Sequence, residues 1–243
     1  MKSSLKVIAV MAALIVVAII ALLIVSAVGA GQTQRYVTKA FMYHAVSDIP
    51  GENASLYVTP LEFEKQIAWL SDAGFTSVFA DKFGTYGYKT AAITFDDGYE
   101  NVYTEAFPIL KKYNFKATVF LITSPAEGHI TDEEIKEMTD SGLVMFGSHT
   151  DTHRDLTKLT PEEIRSELEA SKSKIEKLTG KTVTTLSYPY GASDETVVSA
   201  AKKLGFKCAY TIYDPVGDED KFHLPRYTVW RETKIDVFIK MTE

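Results

Sequence analysis

The sequence predicts an α/β protein in which helices cover a parallel β-sheet. Short continuous apolar runs, typical of strands buried on both faces, alternate about seven times with segments of helical periodicity. Helix-start signals recur between these runs: a hydroxyl residue followed by proline, or by glutamate three positions on. Polar residues directly follow several of the runs, where parallel α/β folds place their chemistry. The pattern fits an open doubly wound sheet or a barrel.

The apolar runs define the predicted strands, which are bounded by glycine, proline or polar residues. In chain order they cover residues 39–46, 75–79, 91–95, 117–122, 143–148, 184–188 and 206–213, followed by a late extended segment at 223–226.

Start and stop signals define the predicted helices. Thr59 and Pro60 open the first helix, Pro108 is expected to bend or interrupt the second, and Ser193 is expected to cap the fifth. The helices cover residues 60–74, 101–113, 131–142, 160–180, 193–205 and 234–241.

Composition bounds the class of protein. The chain has 243 residues, 46% hydrophobic and 24% charged, which suits one large domain with a sizeable core plus an appendage. The net charge of −6 argues against the basic face that nucleic-acid binding needs. Cys208 is the single cysteine, so no intramolecular disulfide can form, and its apolar surroundings predict a buried, unreactive thiol. The sequence identifies no protein partner.

The N-terminal segment is distinct from the rest of the chain. Lys2 and Lys6 precede an uncharged apolar run from Val7 to Val25, which as a helix is long enough to cross a hydrocarbon core of about 30 Å. A cleavable signal peptide is the alternative, and either segment exports the rest of the chain, leaving it bound to the cell membrane or secreted. The expected division is a cytoplasmic N-terminus at 1–6, a single transmembrane anchor at 7–28, a linker at 29–38 and an extracytoplasmic domain at 39–243.

Two carboxylates stand side by side after a buried strand. Asp96 and Asp97 follow one apolar run, and Gly98 lets the chain turn away. Adjacent buried carboxylates repel one another unless a cation or a shared proton relieves them. Downstream, His149 and His153 follow another apolar run at a spacing of i and i+4. One aspartate and two histidines can form a three-ligand metal site with a position left open for water.

Together these motifs resemble the polysaccharide deacetylase family, the NodB-type carbohydrate esterases. Thr-Phe-Asp-Asp-Gly at 94–98 and Ser-His-Thr-x-x-His at 148–153 occur in the family's order, and the resemblance runs from about residue 39 to about residue 229. It implies an irregular, incomplete (β/α) barrel of about seven parallel strands. The early Met-Tyr-His ending at His44, and the Pro-x-Glu-Phe helix start after it, resemble the branch of poly-N-acetylglucosamine deacetylases.

The resemblance also assigns roles to the motif residues. Asp97, His149 and His153 would hold one divalent metal ion; zinc suits these ligands best, and cobalt, nickel and manganese stay open. Such an ion lowers the pKa of bound water from about 15.7 to about 7 and polarises an acyl oxygen. Asp96 would be the general base, the structural alternative being that it only supports a ligand histidine.

Amide hydrolysis also needs an acid that protonates the leaving amine. By resemblance to the poly-N-acetylglucosamine branch we favour His44, at the end of the first strand. His223, in the late extended segment, is the alternative. His129 lies in a predicted loop and is expected to be simply exposed.

The sequence Tyr-Pro-Tyr-Gly at 188–191 matches the family's third motif. In the family, the backbone N–H after the proline helps to hold the tetrahedral oxyanion, and oriented N–H groups do this without reorganisation. By resemblance this role falls to Tyr190, which follows Pro189.

The chain departs from the family pattern in two places. The arginine that usually steers the base falls at Ser187, so Asp96 needs another orienting group or is less well oriented. The usual Asp-x-x-Asp-Trp motif is missing, and Tyr-Asp at 213–214 occupies its region. Arg226 is a candidate for a salt bridge near the site, with a purely structural role as the alternative.

These features predict a membrane-anchored hydrolase that removes N-acetyl groups from an extracellular N-acetylglucosamine polysaccharide. An exopolysaccharide is the first choice, peptidoglycan the second and an O-acetyl-xylan-type ester the third. The rival from another class is a glycan-binding protein without turnover, which the serine at 187 motivates; a soluble deacylase of small molecules fits the export signal less well. Aromatic residues that could stack on sugars if exposed are Tyr86, Tyr88, Tyr99 and Tyr103.

Overall fold

The computed structural model describes residues 37–84, 89–124, 127–212 and 220–243. The predicted N-terminus at 1–6, the anchor at 7–28 and most of the linker at 29–38 lie outside these ranges. Within them, no helix combines the length and the apolar character needed to cross a bilayer.

Eight of the strands in the described ranges form one sheet with only parallel pairings. The strands are β1 (Val37–Tyr43), β2 (Ala45–Val46), β3 (Tyr57–Val58), β4 (Thr76–Ser77), β5 (Lys89–Phe95), β6 (Ala117–Leu121), β7 (Val144–Ser148), β8 (Thr185–Ser187), β9 (Cys208–Tyr210) and β10 (Tyr227–Thr228). The sheet order is β10-β1-β5-β6-β7-β8-β9 with β4 beside β5, while β2 and β3 pair separately. The predicted parallel α/β fold of about seven strands is confirmed. Strands β4, β8 and β9 are each at least two residues shorter than their apolar runs.

The α-helices follow the predicted start signals closely. They are α1 (Pro60–Asp72), α2 (Phe107–Tyr113), α3 (Asp132–Asp140), α4 (Pro161–Thr179), α5 (Glu195–Lys203) and α6 (Ile235–Thr242). The predicted cap of the fifth helix is wrong by one residue, because the Asp194 carboxylate, not Ser193, accepts a hydrogen bond from the Val197 N–H. The predicted interruption at Pro108 is confirmed: a π-helical turn at Val102–Ala106 precedes α2, which leaves the proline in the first turn of α2.

The late extended segment contacts both edges of the sheet. Leu224 exchanges backbone hydrogen bonds with β9, donating to Ala209 at 2.9 Å and accepting from Thr211 at 2.9 Å. A few residues later, Tyr227 pairs with Phe41 of β1. The segment between these two attachments therefore closes the gap between the edge strands, and Arg226 lies within it.

A short loop that contains Ala80 bonds to β6 and β9. Ala80 is buried there, its N–H donating to Thr118 at 3.0 Å and its carbonyl accepting from the Tyr210 hydroxyl at 2.7 Å. The Tyr210 ring in turn contacts Phe120 and Phe83, with ring centroids 5.7 and 6.1 Å apart. Close packing holds Tyr210 in place, and its ring centroid lies 5.6 Å from the central guanidinium carbon of Arg226.

Candidate active site

The two aspartates end β5 at the carboxyl edge of the sheet. Asp96 is 2% exposed, and its N–H donates to Tyr43 of β1 at 3.0 Å, which fixes it beside the first strand. Asp97 has a φ of 70° and Gly98 a φ of 88°. Glycine favours this turn, because any other residue would be strained at this φ and its Cβ would lie 2.6 Å from Leu121 Cδ2 of β6.

The histidine loop follows β7 and meets Asp97. The Nε2 atoms of His149 and His153 lie 3.5 and 3.7 Å from Asp97 Oδ1. One ligand atom from each of the three residues can be chosen so that all lie within 4.8 Å of one another. His149 Nδ1 is 2.8 Å from the Ser187 carbonyl, which can only accept a hydrogen bond. In its neutral form, His149 therefore carries its proton on Nδ1 and presents the Nε2 lone pair to Asp97.

These three residues fit a divalent metal ion. Tetrahedral bonds of about 2.0–2.1 Å place neighbouring ligand atoms about 3.4 Å apart, close to the two separations from Asp97. Burial, and then the charge of His149, lower the pKa of His153. The neutral form that a metal requires is thereby favoured before any ion binds.

Arg226 pairs with the Asp96 carboxylate. Its two terminal nitrogens donate to Asp96 Oδ1 at 2.7 Å and Oδ2 at 2.8 Å, a bidentate pair. The Ser187 hydroxyl bridges the pair, donating to Asp96 at 3.0 Å and accepting from Arg226 at 2.8 Å. The serine found where the family usually has arginine is thus part of the same network.

The guanidinium is fully buried and fully paired. Arg226 is 0% exposed, and its remaining N–H groups donate to the Thr94 hydroxyl and the Thr211 carbonyl, both at 3.1 Å. All five donors of the side chain are therefore used. The rings of Phe120 and Tyr210 lie 5.6 Å from its central carbon. A buried charge needs this degree of compensation to be tolerated.

The same network sets the charge of Asp96. Burial alone would raise the pKa of this carboxyl, but the charges of Arg226 and His149 outweigh it and hold the pKa well below its usual range. Asp96 is therefore ionised throughout the physiological range. Its Oδ2 lies 3.9 Å from His149 Nε2, so it borders the three-ligand cluster without replacing Asp97 in it.

The turn after β8 brings Tyr190 beside the cluster. Tyr190 has a φ of 60° and is 59% exposed, while Pro189 before it is buried. Its ring packs against His153 with centroids 4.9 Å apart. In the described part of the chain the Tyr190 N–H has no protein acceptor, whereas the next two N–H groups bond back to residues 188 and 189. This free N–H is available to a ligand.

Backbone strain is concentrated at this site. Five non-glycine residues in the described ranges have positive φ, and one of them, Asn114, is a left-handed helix cap. The other four belong to the site: Asp97, Thr150, His153 and Tyr190. Each such residue costs roughly 1–3 kcal/mol and persists only where its surroundings fix it. The fold therefore holds these side chains in place at the expense of stability.

His44 borders the site, and His223 does not. The His44 Nδ1 is buried, and within the described residues it has no hydrogen-bond partner. Burial lowers the pKa of His44, while the nearby carboxylates of Asp96 and Asp97 act in the opposite direction. His223 instead pairs with Asp220 at 3.2 Å beside α5 and is 45% exposed.

The tyrosines proposed as sugar-stacking groups differ in position. Tyr99 lies beside the ligand cluster: burial and then the Asp97 carboxylate raise its pKa, and its ring stacks on His129 at 5.3 Å. His129 is half-buried, so the expectation that it is simply exposed is wrong. Tyr103 instead donates to Glu137 at 2.7 Å on the outer helical layer. The other two predicted tyrosines lie outside the described residues.

Comparison with known proteins decides the family. The sequence profile described as polysaccharide deacetylase matches residues 84–209, just over half of the chain. The chain belongs to the polysaccharide deacetylase family. The matched range includes both aspartates and both histidines of the cluster, and members of this family are deacetylase hydrolases.

Named relatives extend the similarity beyond that range. The Bacillus subtilis protein YxkH, named after the same family, is 35% identical over 189 residues, which are 74% of this chain and 66% of that protein. The poly-beta-1,6-N-acetyl-D-glucosamine N-deacetylase of Staphylococcus aureus is 31% identical over 216 residues, 78% of this chain and 72% of that protein. The chain thus spans about two thirds to three quarters of these relatives.

A solved deacetylase structure shares most of this architecture. The Streptococcus pyogenes deacetylase PplD, in complex with acetate, superposes with a TM-score of 0.79 at 26% identity. The match covers 86% of this chain and 99% of that one. The family resemblance seen in the sequence is confirmed.

Sequence reasoning underestimated Arg226. Its position after Leu224 and Pro225 suggested a salt bridge near the site, but gave no reason to prefer Asp96 as the partner. The available signal was the missing arginine at 187, since a buried carboxylate needs a compensating cation from somewhere in the chain.

Proposed function

We propose that this protein is a metal-dependent deacetylase that removes N-acetyl groups from an N-acetylglucosamine polysaccharide outside the cell. The observation that carries the proposal is the convergence of Asp97, His149 and His153 on one point, with the ionised carboxylate of Asp96 fixed beside it.

The three ligand residues would hold one divalent ion, for which zinc suits the nitrogen and oxygen donors. When bound, such an ion polarises the acyl oxygen and makes water a nucleophile near neutral pH. The backbone of Asp97 and of His153 is strained, with positive φ, and it sets the positions of their ligand atoms. The carbonyl of Ser187 fixes the tautomer of His149.

Asp96 would accept the proton from the attacking water. A general base must be ionised and aimed, and the bidentate contact with Arg226 supplies both conditions. The Ser187 hydroxyl adds a further restraint on the same carboxylate.

His44 would give a proton to the leaving amine. Its Nδ1 is without a protein partner in the described ranges, and its charge is coupled to both aspartates. His223 would be a poor acid for this site, because its ring is engaged with Asp220 beside α5.

The N–H of Tyr190 would stabilise the oxyanion formed on the acyl carbon. Its donor is free and is held by a turn with positive φ, so it needs no rearrangement during the reaction. The exposed Tyr190 ring, packed on His153, would line the entrance to the site.

The substrate assignment follows from the relatives and from the export signal. The Staphylococcus aureus relative is named for poly-beta-1,6-N-acetyl-D-glucosamine, and this polymer class is the first choice. Peptidoglycan and O-acetylated xylan are the alternatives. The apolar run at 7–25 supports placement at the outer face of the cell membrane. The rival idea of an inactive binding protein rested on Ser187, and Arg226 removes that motive.

The test is acetate release by the full chain in mild detergent. Substrates would be β-1,6-linked and β-1,4-linked N-acetylglucosamine oligomers and acetyl-xylan, each with added zinc. We expect release from the β-1,6-linked oligomers, its loss in Asp96→Asn and Asp97→Asn, and loss of bound metal mainly in Asp97→Asn. Asp72→Asn, an exposed aspartate at the end of α1, is the matched control. Retained metal with no release from any substrate would overturn the proposal.

A further inference from the structure

The loop that carries the two histidines is held by backbone hydrogen bonds. The N–H groups of residues 149–153 all have acceptors. Strand β6 provides one acceptor, and hydroxyl groups of the loop and of β7 provide two more. The N–H groups of Asp151 and Thr152 both donate to Glu167 Oε2, at 3.1 and 2.8 Å. One carboxylate from outside the loop therefore accepts both N–H groups at its centre.

Glu167 lies in the middle of α4 and is only 5% exposed. Its second oxygen, Oε1, accepts a hydrogen bond from the Thr152 hydroxyl and another from Arg154 Nε at 3.2 Å. Both carboxylate oxygens are thus used, and every recorded partner belongs to the segment 151–154. These hydrogen bonds of Glu167 tie α4 to one loop and do not connect it to other parts of the core.

The backbone on either side of these contacts is strained. Thr150 has a φ of 69° and His153 a φ of 58°. Glu167 fixes Asp151 and Thr152, which lie between them. It therefore helps to set the direction of the His153 ring. The other anchor is Asp151, whose carboxylate accepts from Thr123 and Ser124 at 2.7 and 2.9 Å. The loop is clamped from both sides. Among the described helical residues, Glu167 bonds to its backbone, while Glu163 of the same helix bonds there only to the Arg154 side chain.

We infer that Glu167 is a positioning residue for the metal site: it holds the loop in the strained form that aims His153 at Asp97. The inference rests on the proposed function, because it concerns the same three ligands. A bound carboxylate is required, since two backbone N–H groups, a hydroxyl and a guanidinium all donate to it. A glutamine at this position could accept hydrogen bonds only through its carbonyl oxygen, because its amide nitrogen is a donor.

The test measures metal affinity and ligand geometry together with activity. The full chain would be stripped with a chelator and titrated with cobalt(II), whose visible absorption reports coordination geometry. We expect Glu167→Gln to weaken cobalt binding by about 10–100-fold and to change the spectrum, as is typical when groups supporting a metal ligand are altered. Thr152→Ala removes one contact without leaving a charge, and we expect a smaller change in the same direction. Glu169→Gln, an exposed residue on the same helix, is the matched control.

The outcomes separate this inference from the proposed function. Glu167→Gln with wild-type cobalt affinity and spectrum, even if its metal-free form unfolds at a lower temperature, would overturn the positioning role and leave the deacetylase proposal intact. If Glu167→Gln does not fold, unchanged affinity in Thr152→Ala would overturn it equally. A wild-type chain that binds no cobalt and releases no acetate would overturn both.

Discussion

Arg226 and Asp96 form a buried bidentate ion pair although 130 residues separate them in the sequence. The aspartate ends a central strand, whereas the arginine comes from the segment that joins the two edges of the sheet. The arginine that the family usually has at position 187 is replaced by a serine that hydrogen-bonds to both partners. The Asp96 carboxylate is thus oriented by a cation that reaches it from a different part of the fold.

Removing this cation should destabilise the fold and impair catalysis. In Arg226→Met, Asp96 keeps a buried charge without compensation, and we expect a loss of roughly 3–5 kcal/mol in the free energy of unfolding. Arg226→Lys keeps the charge but loses the paired geometry and should be intermediate. Urea unfolding with a chelator present, alongside acetate release, would measure both effects. A methionine variant as stable as the wild type would contradict this account.

The difference in the free energy of unfolding between the wild type and Arg226→Met should also depend on pH. In the wild type the folded-state pKa of Asp96 lies below the unfolded value, so its stabilising contribution is present above the unfolded pKa and is lost as the pH falls through the folded pKa. In Arg226→Met, burial would raise the folded pKa above the unfolded value of about 3.9, so acidification would relieve the penalty. The gap between the two proteins should therefore shrink from about pH 7 to about pH 4. Urea unfolding across that range measures it, and a constant gap would argue against Asp96 as the source.

Exchanging the residues at positions 187 and 226 should restore part of the stability that each single substitution removes. Ser187→Arg alone adds a second cation to a buried site in which Ser187 is 0% exposed, and we expect it to destabilise the protein. The double variant Ser187→Arg with Arg226→Ser returns to one cation per carboxylate. Thermal unfolding of all three proteins tests the coupling: the double variant should be more stable than the sum of the single changes predicts. Strict additivity would show that position 187 cannot supply the cation in this chain.

The sequence was sufficient for most of the fold because its signals were local. Thr59, Thr131 and Thr160 cap their helices as predicted, each accepting a hydrogen bond from the N–H three residues on. Strands were harder to delimit, since an apolar run records burial and not pairing. Residues 75–79 are an example, because only Thr76 and Ser77 pair with β5.

The site was predictable only where its chemistry is carried by adjacent residues. Asp96 and Asp97 are neighbours in the chain, and His149 and His153 share one short loop. Arg226 and Glu167 act on these residues from distant segments, and their roles depend on the register of β10 and on the rotation of α4. Nothing in the sequence alone fixes either of those quantities.

Cys208 should be inert in the native protein. Burial raises the pKa of its thiol to about 12, and the residue is 6% exposed on β9. Since the thiolate is the reactive form, we expect labelling by a thiol reagent at neutral pH to be very slow in the folded protein and fast in urea. The absorbance released by an aromatic disulfide reagent would measure both rates. Fast labelling without denaturant would mean that β9 opens locally. The sheet edge that β9 forms, next to the segment with Arg226, would then open as well.

The choice between the two candidate acids can be made by a pair of matched substitutions. His44→Gln removes the ring beside the aspartates, and we expect the turnover number to fall by about 10²–10⁴-fold with cobalt affinity unchanged. His223→Gln removes a ring that pairs with Asp220 beside α5, and we expect activity within about twofold of wild type, as for a typical surface change. A substrate whose leaving group needs no protonation separates acid catalysis from damage to the site: His44→Gln should hydrolyse an activated acetyl ester at nearly the wild-type rate. Equal loss on the amide and on the ester would place His44 among the groups that shape the site, and a large loss in His223→Gln would reassign the acid.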